Sequence, residues 1–212
     1  KFFLVQYDKG LRVIIHTANL IYADCNNKTQ SVFVQDFPRK SSQPEAPLSS
    51  PFERDLSEYV RRLGLPPAAA RAAAAVLCAH DMSAARAVLV PSVPGYHIDP
   101  GRHWFGHAKV SQALAAEARE DPERQNCGDA QGAQHVVAQC SSLGALDDAW
   151  LDGEFGESLR GGRRRCSDEP ALSLVWPTVE DVQNSIEGWA AGRSIPGPLK
   201  NVEKTALQRR WR

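Results

Sequence analysis

Two apolar runs flank a short polar turn near the start of the sequence, and this pattern constrains the fold more than any other feature. Phe2–Val5 and Leu11–Ile15 are the runs, and Asp8-Lys9-Gly10 lies between them. Because glycine supplies the positive φ that a tight turn needs, the pattern predicts a β-hairpin whose turn is centred on Lys9. A further strand is predicted at Ser31–Val34.

Helix signals follow the predicted strands. Ser50, Pro51 and Glu53 occupy the N-cap, first and third positions of a capping-box pattern, so a helix is expected to begin there and to end at Gly64. An alanine-rich stretch, Ala68–Ala79, predicts the next helix.

The second half of the sequence alternates between strand and helix patterns. Strands are expected at 87–90, 136–140 and 171–176, and helices at 106–118, 150–159 and 178–189, where Thr178 and Asp181 can form a cap. Alternation of this kind predicts a layered α/β architecture in which helices flank a sheet.

Charge and cysteine content argue against several classes of protein. The chain has 25 basic and 25 acidic residues, so no global field attracts nucleic acid or an anionic membrane. Its five cysteines are widely spaced without a Cys-x-x-Cys, so neither a disulfide framework nor a metal site is expected. No apolar run reaches the roughly 20 residues of a membrane span, and no signal leader is seen, which favours a soluble intracellular protein.

Polar side chains lie at the open end of the predicted hairpin, where its first strand begins and its second strand ends. With a turn centred on Lys9, Lys1 faces Thr17, and Asn19 follows on the same face because side chains alternate along a strand. An ammonium and a carboxamide at one place supply the charge and the N–H donors that bind a phosphate oxygen. The alternative is a solvated lysine and an asparagine that caps a loop. His16, at the strand end, is interpreted as a hydrogen-bonded structural histidine.

Residues 1–24 resemble the stretch of the tyrosyl-DNA phosphodiesterase family, in the phospholipase D superfamily, that begins with the lysine of its first His-x-Lys motif. The separation between Lys1 and the asparagine of His16-Thr17-Ala18-Asn19 agrees with the family, and Gln30 matches the place of an active-site glutamine. Further blocks resemble family landmarks in the family order: 92–95, 104–107, 139–144, 176–180 and 187–192. The resemblance therefore covers nearly the whole chain.

This resemblance implies an α/β phospholipase D-like fold with a layered mixed sheet, in which residues 1–84 end a first half and residues 85–212 begin a second. It implies that Lys1, Asn19 and Gln30 bind and orient a phosphate. The nucleophilic histidine would lie two residues before Lys1 and the acid/base histidine beyond Arg212, so the chain is expected to be an internal piece. The implied reaction hydrolyses a 3′-phosphotyrosyl bond of DNA through a phosphohistidine, without metal or other cofactor.

The resemblance also implies contacts to DNA in the second half. The positions that match family DNA-binding residues are Ser141, Ser142, Leu143, Gly144, Ala145, Ser194 and Lys204. Serine hydroxyls and backbone N–H groups in a short loop after a strand can hold a DNA phosphate. The family has a serine where this chain has Ala145, so the chain departs from the pattern there. The implied partners are DNA that carries a 3′-linked tyrosine and a peptide derived from topoisomerase I.

The same resemblance implies a nuclear enzyme of DNA repair, monomeric when complete, with exonuclease-like action at 3′ ends. A second hypothesis is a non-catalytic module that binds DNA ends or phosphate, because a chain without either histidine cannot perform the two-step reaction. Another enzyme of the superfamily, such as a lipid hydrolase or a nuclease, is disfavoured because the blocks after residue 85 resemble the tyrosyl-DNA branch.

Overall fold

A computed structural model describes residues 1–41, 50–98, 101–120, 136–140, 142, 144–161, 172–204 and 210–211. The chain divides into two compact units, Lys1–Gly106 and His107–Arg212. The family resemblance predicts a boundary between two halves of the family fold, between residues 84 and 85. The division into compact units does not test that boundary, which stays a prediction.

The first unit is built on a three-stranded antiparallel sheet. Its strands are β1 (Phe2–Tyr7), β2 (Gly10–His16) and β3 (Val32–Pro38), in the order β1-β2-β3. The predicted hairpin is therefore confirmed, and the third strand is longer than the sequence indicated. Phe2 pairs with Ile15 and Tyr7 with Gly10, which leaves only Asp8 and Lys9 in the turn.

Gly10 has a different role from the one predicted. It is the first residue of β2 and is not among the described glycines with positive φ. A Cβ at Gly10 would lie 2.7 Å from the carbonyl oxygen of Phe37, a separation that Cβ atoms essentially never show. Glycine is thus required because β3 approaches the backbone closely, and the predicted turn centre was wrong by half a residue.

Three helices follow in the chain, of which the second and third form where the cap and alanine-rich patterns predicted them and the first was not predicted. They are α1 (Tyr22–Asn26), α2 (Pro51–Arg62) and α3 (Pro67–Cys78), followed by a 3₁₀ helix at Arg102–Trp104. Ser50 Oγ accepts a hydrogen bond from the Glu53 backbone N–H at 3.2 Å, which confirms the N-cap, and Gly64 ends the helical segment with a φ of +64°.

The core of this unit joins one face of the sheet to α2 and α3. The fully or nearly fully buried side chains are Leu11, Val13, Phe37, Phe52, Leu56, Val60, Leu77 and Met82. Burying one such side chain stabilises a fold by about 1.5–3 kcal/mol, so this cluster holds the sheet against the helices. The start of α2 is also fixed by an ion pair of 2.9 Å between Lys40 Nζ and Glu53, whose side chain is 0% exposed.

The strand predicted at residues 87–90 does not form. The segment before it is held by a side chain, because Gln35 Nε2 donates to the carbonyl of Ala84 at 2.7 Å and Gln35 Oε1 accepts from the Arg86 N–H at 3.0 Å. A side-chain amide thus takes the place of a neighbouring strand. The apolar run Ala87–Val90 continues as irregular chain.

The second unit alternates helices with two paired strands. Its elements are α4 (Gly106–Glu120), β4 (Val136–Gln139), a π-helix (Ala149–Phe155), α5 (Gly156–Leu159), β5 (Leu172–Val175), α6 (Val179–Gln183), a 3₁₀ helix (Gly188–Ser194) and α7 (Leu199–Val202). β4 and β5 are parallel. Their core contains Leu151, Leu172 and Leu174, and the capping box between Thr178 and Asp181 is confirmed at the start of α6.

A buried arginine ties the end of the chain to the π-helix. Arg210 is 0% exposed, and its Nη2 donates to Asp148 at 2.9 Å and to Asp152 at 2.7 Å. Its carbonyl accepts from the Leu174 N–H at 2.7 Å, and Trp211 forms a parallel bridge with Leu174. Residues 210–211 therefore extend the sheet of the second unit.

We predict that Gly10→Ala destabilises the first unit by about 1–3 kcal/mol, because a Cβ inserted against a backbone carbonyl must displace β3. The midpoint of urea unfolding measures this loss. Gly101→Ala is the matched control, since its φ is −89° and its Cβ would lie at an ordinary 3.5 Å from the Ile98 carbonyl. Equal midpoints for the two variants would contradict the close-approach role of Gly10.

Candidate functional site

Lys1 reaches its predicted partner although the predicted register was wrong. The turn of two residues shifts the pairing by one position, so the His16 N–H donates to the Lys1 carbonyl at 3.0 Å and Lys1 lies opposite His16. The flexible side chain spans the difference, and Lys1 Nζ donates to the Thr17 carbonyl at 2.7 Å. The ammonium is thereby held at the open end of the hairpin.

Lys1 and Asn19 line the same surface pocket, which has a volume of about 400 Å³. His16 and Tyr59 line it as well. The ring of Tyr59 lies 5.7 Å from that of Phe2, so α2 contributes one wall while the hairpin contributes the polar groups. The pocket is open to solvent and offers one ammonium and one carboxamide to a ligand.

Gln30 joins this group through Thr17. Thr17 Oγ1 donates to Gln30 Oε1 at 2.5 Å and accepts from the Ser31 N–H at 2.9 Å. The carbonyl of the same threonine accepts the Lys1 bond, so one residue connects the lysine with the glutamine. The structure therefore brings together all three residues that the resemblance assigned to phosphate binding.

Asp24 connects the two carboxamides from the other side. Its Oδ2 accepts from the backbone N–H of Asn19 at 2.9 Å and from Asn19 Nδ2 at 2.6 Å. Its Oδ1 accepts from Lys28 Nζ at 2.9 Å, and its backbone carbonyl accepts from Gln30 Nε2 at 3.1 Å. Asp24 is only 6% exposed, so this short helix turns a carboxylate inward to hold the site.

These contacts determine how Asp24 titrates. The hydrogen bond from Lys28, followed by those from Asn19, lowers the pKa of Asp24 from 3.8 to about 2. Because the folded-state pKa is depressed, the contacts stabilise the fold above a pH of about 4 and lose this contribution as the pH falls towards about 2. Asp24 is ionised at neutral pH.

His16 is held by stacking. Its ring lies parallel to Phe3 at 5.1 Å, and within the described residues its buried Nε2 has no hydrogen-bond partner. The prediction of a hydrogen-bonded histidine is therefore wrong for Nε2. The stacked ring forms a wall of the pocket beside Lys1.

The predicted DNA-binding loop lies after β4 in the second unit. Ser142, Gly144 and Ala145 are exposed, whereas Ser141 and Leu143 lie outside the described residues. The Leu146 N–H donates to the Gly144 carbonyl at 3.1 Å, and the Trp150 N–H donates to Asp147 Oδ1 at 2.8 Å. The end of the loop thus leads directly into the π-helix.

Lys204 contacts this loop. Its half-buried side chain donates from Nζ to the carbonyl of Leu146, the residue that follows Ala145, at 3.1 Å. Ser194 is the last residue of the 3₁₀ helix Gly188–Ser194 and is partly buried. The DNA contacts of these residues stay predictions.

The described part of the chain has neither a metal-binding cluster nor a membrane-spanning helix. Its residues contain no group of three or more His, Cys, Asp and Glu side chains placed to hold a metal ion. None of its helices has the length and apolar character that crossing a bilayer requires.

Sequence reasoning missed Asp24 and Lys28 as parts of the site. The available signal was their spacing, since an aspartate and a lysine four residues apart face each other on a helix. It pointed to an ordinary surface pair, because nothing in the pattern indicates that Asn19 turns back onto the same carboxylate.

Comparison with protein families and characterised proteins gives one consistent match. The family model described as tyrosyl-DNA phosphodiesterase matches residues 1–211. Tyrosyl-DNA phosphodiesterase 1 of Arabidopsis thaliana is 42% identical over 99% of this chain and 35% of its own length. A probable tyrosyl-DNA phosphodiesterase of Caenorhabditis elegans is 35% identical over 91% of this chain and 42% of its own length. The chain thus spans about a third to two fifths of these relatives.

Solved structures give the same fold. The crystal structure of a mutant yeast tyrosyl-DNA phosphodiesterase, H432N_Glu, is similar with a TM-score of 0.64 and 15% identity, over 92% of this chain and 45% of that one. The yeast H432R mutant (SCAN1 mutant) gives a TM-score of 0.61 at 15% identity, over 93% and 46%. The predicted phospholipase D-like α/β fold is confirmed.

We predict that the carboxyl carbon of Asp24 titrates in NMR spectra with a midpoint near its pKa of about 2. Lys28→Ala should raise this midpoint towards the ordinary value of 3.8, because the lysine contact is the largest cause of the depression. Lys9→Ala, in the exposed turn, should leave it unchanged. A wild-type midpoint near 3.8 would show that the Asp24 contacts do not persist in solution.

We predict that Lys204→Ala speeds hydrogen exchange at the Leu146 amide about tenfold, because the end of the loop loses a charge-assisted hydrogen bond. Lys200→Ala is the matched control, since that exposed lysine lies four residues earlier on α7. Mass spectrometry of peptides that cover residues 144–150 measures the effect. Equal exchange rates in the two variants would show that Lys204 does not hold the loop in solution.

Proposed function

This chain belongs to the tyrosyl-DNA phosphodiesterase family, and from that premise we propose that it forms part of an enzyme that hydrolyses the bond between a DNA 3′-phosphate and a tyrosine. The observation that carries the proposal is the convergence of Lys1, Asn19 and Gln30 through Thr17 and Asp24. These residues carry donors for phosphate oxygens and share one network, in which Lys1 and Asn19 line an open pocket.

The proposed role of these three residues is to bind the phosphate and to stabilise negative charge as it develops on the oxygens. Lys1 supplies a positive charge, and the two carboxamides supply directional N–H donors. Fixed donors of this kind stabilise a transition state without reorganising during the reaction. The chemistry needs two histidines, which we place two residues before Lys1 and beyond Arg212 in a longer chain.

The proposed reaction has two steps. In the first, a histidine nitrogen attacks phosphorus, the bond from phosphorus to the tyrosine oxygen breaks, and the second histidine gives that oxygen a proton. In the second, the same histidine takes a proton from water, whose oxygen attacks phosphorus and releases the first histidine. The products are free tyrosine, or its peptide, and a DNA 3′-phosphate.

We place DNA against the loop of the second unit, where Ser142, Gly144 and Ala145 are exposed, with Lys204 at its end. Hydroxyl and backbone N–H groups there would contact phosphates without reading bases. The substrate would be a 3′ end linked to a peptide of topoisomerase I. Removal of such adducts is a form of DNA repair with exonuclease-like action at a 3′ end, and it implies a nuclear location.

Cleavage of a single-stranded oligonucleotide with a 3′-phosphotyrosine, in the presence of EDTA, tests the proposal. A longer chain that adds a histidine two residues before Lys1 and a second His-x-Lys segment after residue 212 should release the 3′-phosphate product, and residues 1–212 by themselves should not. Binding of the oligonucleotide without cleavage by the longer chain would favour the non-catalytic module instead. Loss of cleavage in EDTA would contradict the metal-free histidine mechanism.

We predict that Lys1→Ala, Asn19→Ala and Gln30→Ala each lower kcat of the longer chain by about 10²–10³, the usual effect of removing one preorganised donor. Three variants of the same residue types serve as matched controls: Lys9→Ala, Asn26→Ala and Gln6→Ala, all at exposed positions. The controls should keep wild-type kcat. A similar loss in both sets would indicate a general effect on folding.

A further inference from the structure

A carboxamide can present either a donor or an acceptor, and the two ends of Asn19 have nearly the same shape. An ionised phosphate oxygen only accepts hydrogen bonds, so the site requires Nδ2, and not Oδ1, to be available to it. Some neighbouring group must therefore fix the orientation of the amide. The same requirement applies to Gln30.

Asp24 meets this requirement for Asn19. Its Oδ2 lies 2.6 Å from Asn19 Nδ2, and reversing the amide would place two acceptor oxygens against each other. The same Oδ2 accepts from the Asn19 backbone N–H at 2.9 Å, so both the main chain and the side chain are fixed. Nδ2 carries a second hydrogen, which leaves one donor for a ligand in the pocket that Asn19 lines.

Asp24 also fixes the orientation of the Gln30 amide. Its backbone carbonyl accepts from Gln30 Nε2 at 3.1 Å, while Gln30 Oε1 accepts from Thr17 Oγ1 at 2.5 Å. Both ends of this amide are therefore assigned, and the second hydrogen of Nε2 remains for a ligand. One buried residue on α1 thus orients two amides that come from different loops.

We propose that Asp24 is the positioning residue of the phosphate site, which directs the amide donors of Asn19 and Gln30 towards the substrate phosphate. This inference rests on the proposed function. It assigns Asp24 no contact with the substrate, and its carboxylate acts only through Asn19. Lys28 balances the charge of the carboxylate at 2.9 Å.

A purely structural role for Asp24, in holding the turn between β2 and α1, makes a different prediction. In that case Asp24→Ala would damage the unit regardless of whether Asn19 is present. If Asp24 acts through the Asn19 amide, its substitution has little further effect once that amide has been removed. A double-mutant cycle separates the two roles.

The cycle uses Asp24→Ala, Asn19→Ala and the double variant in the longer chain, with cleavage of the 3′-phosphotyrosyl oligonucleotide as the measurement. We expect Asp24→Ala alone to lower kcat about tenfold or more, and to lower it by less than about twofold when Asn19 is already alanine. Asp24→Asn keeps a carbonyl acceptor for Asn19, so it should recover part of the loss. Asp36→Ala, which removes an exposed ion pair with Arg12, is the control and should keep wild-type kcat.

Independent losses that multiply in the double variant would overturn the inference while leaving the proposed function intact. If the wild-type longer chain cleaves nothing, the proposed function fails, and inorganic phosphate then serves as the probe. Phosphate should shift the NMR signal of the Asn19 side-chain amide in the wild-type chain, and Asp24→Ala should weaken that response. Absence of the response in the wild type, or an unchanged response in Asp24→Ala, would also overturn the inference.

Discussion

The register of β2 between β1 and β3 is the constraint on which the candidate site depends. Side chains alternate along a strand, so a shift of one residue would move every polar group at the strand ends to the other face. The register is fixed where Tyr7 pairs with Gly10 and where the backbone of Gly10 lies against Phe37. At the opposite end, the same register leaves Lys1, Thr17 and Ser31 as neighbours. A contact at the turn therefore determines the geometry of the pocket.

The site itself is built from loops that leave this sheet, and loops need their own means of fixation. Asp24 and Thr17 provide it, because each joins residues that are distant in sequence. Thr17 connects Lys1 with Gln30, and Asp24 connects Asn19 with Gln30. The result is a chain of hydrogen bonds that runs from Lys1 through Thr17, Gln30 and Asp24 to Asn19. Networks of this kind stay ordered only when their members are satisfied.

The sequence predicted elements well where local patterns determine them, and less well where distant contacts decide. The hairpin, the N-cap at Ser50 and the helix end at Gly64 follow from periodicity and from cap chemistry, and all are confirmed. The strand expected at 87–90 does not form, and the segment just before it is bound by Gln35, about fifty residues away, through the backbone of Ala84 and Arg86. Asp24 could not be found for the same reason. Its role depends on how the chain turns back after β2, and no local pattern records that turn.

A carboxylate next to a phosphate site is unfavourable by itself, because like charges repel and the effect is strong where water is excluded. The contacts of Asp24 remove the difficulty. Lys28 neutralises it at 2.9 Å, and its low pKa means that it stays a pure acceptor at neutral pH. With Asp24 and Lys28 balanced, the net charge of the group is the single positive charge of Lys1. The site can then attract a phosphate anion while a buried carboxylate, which is the strongest available acceptor, holds the neutral donors in place.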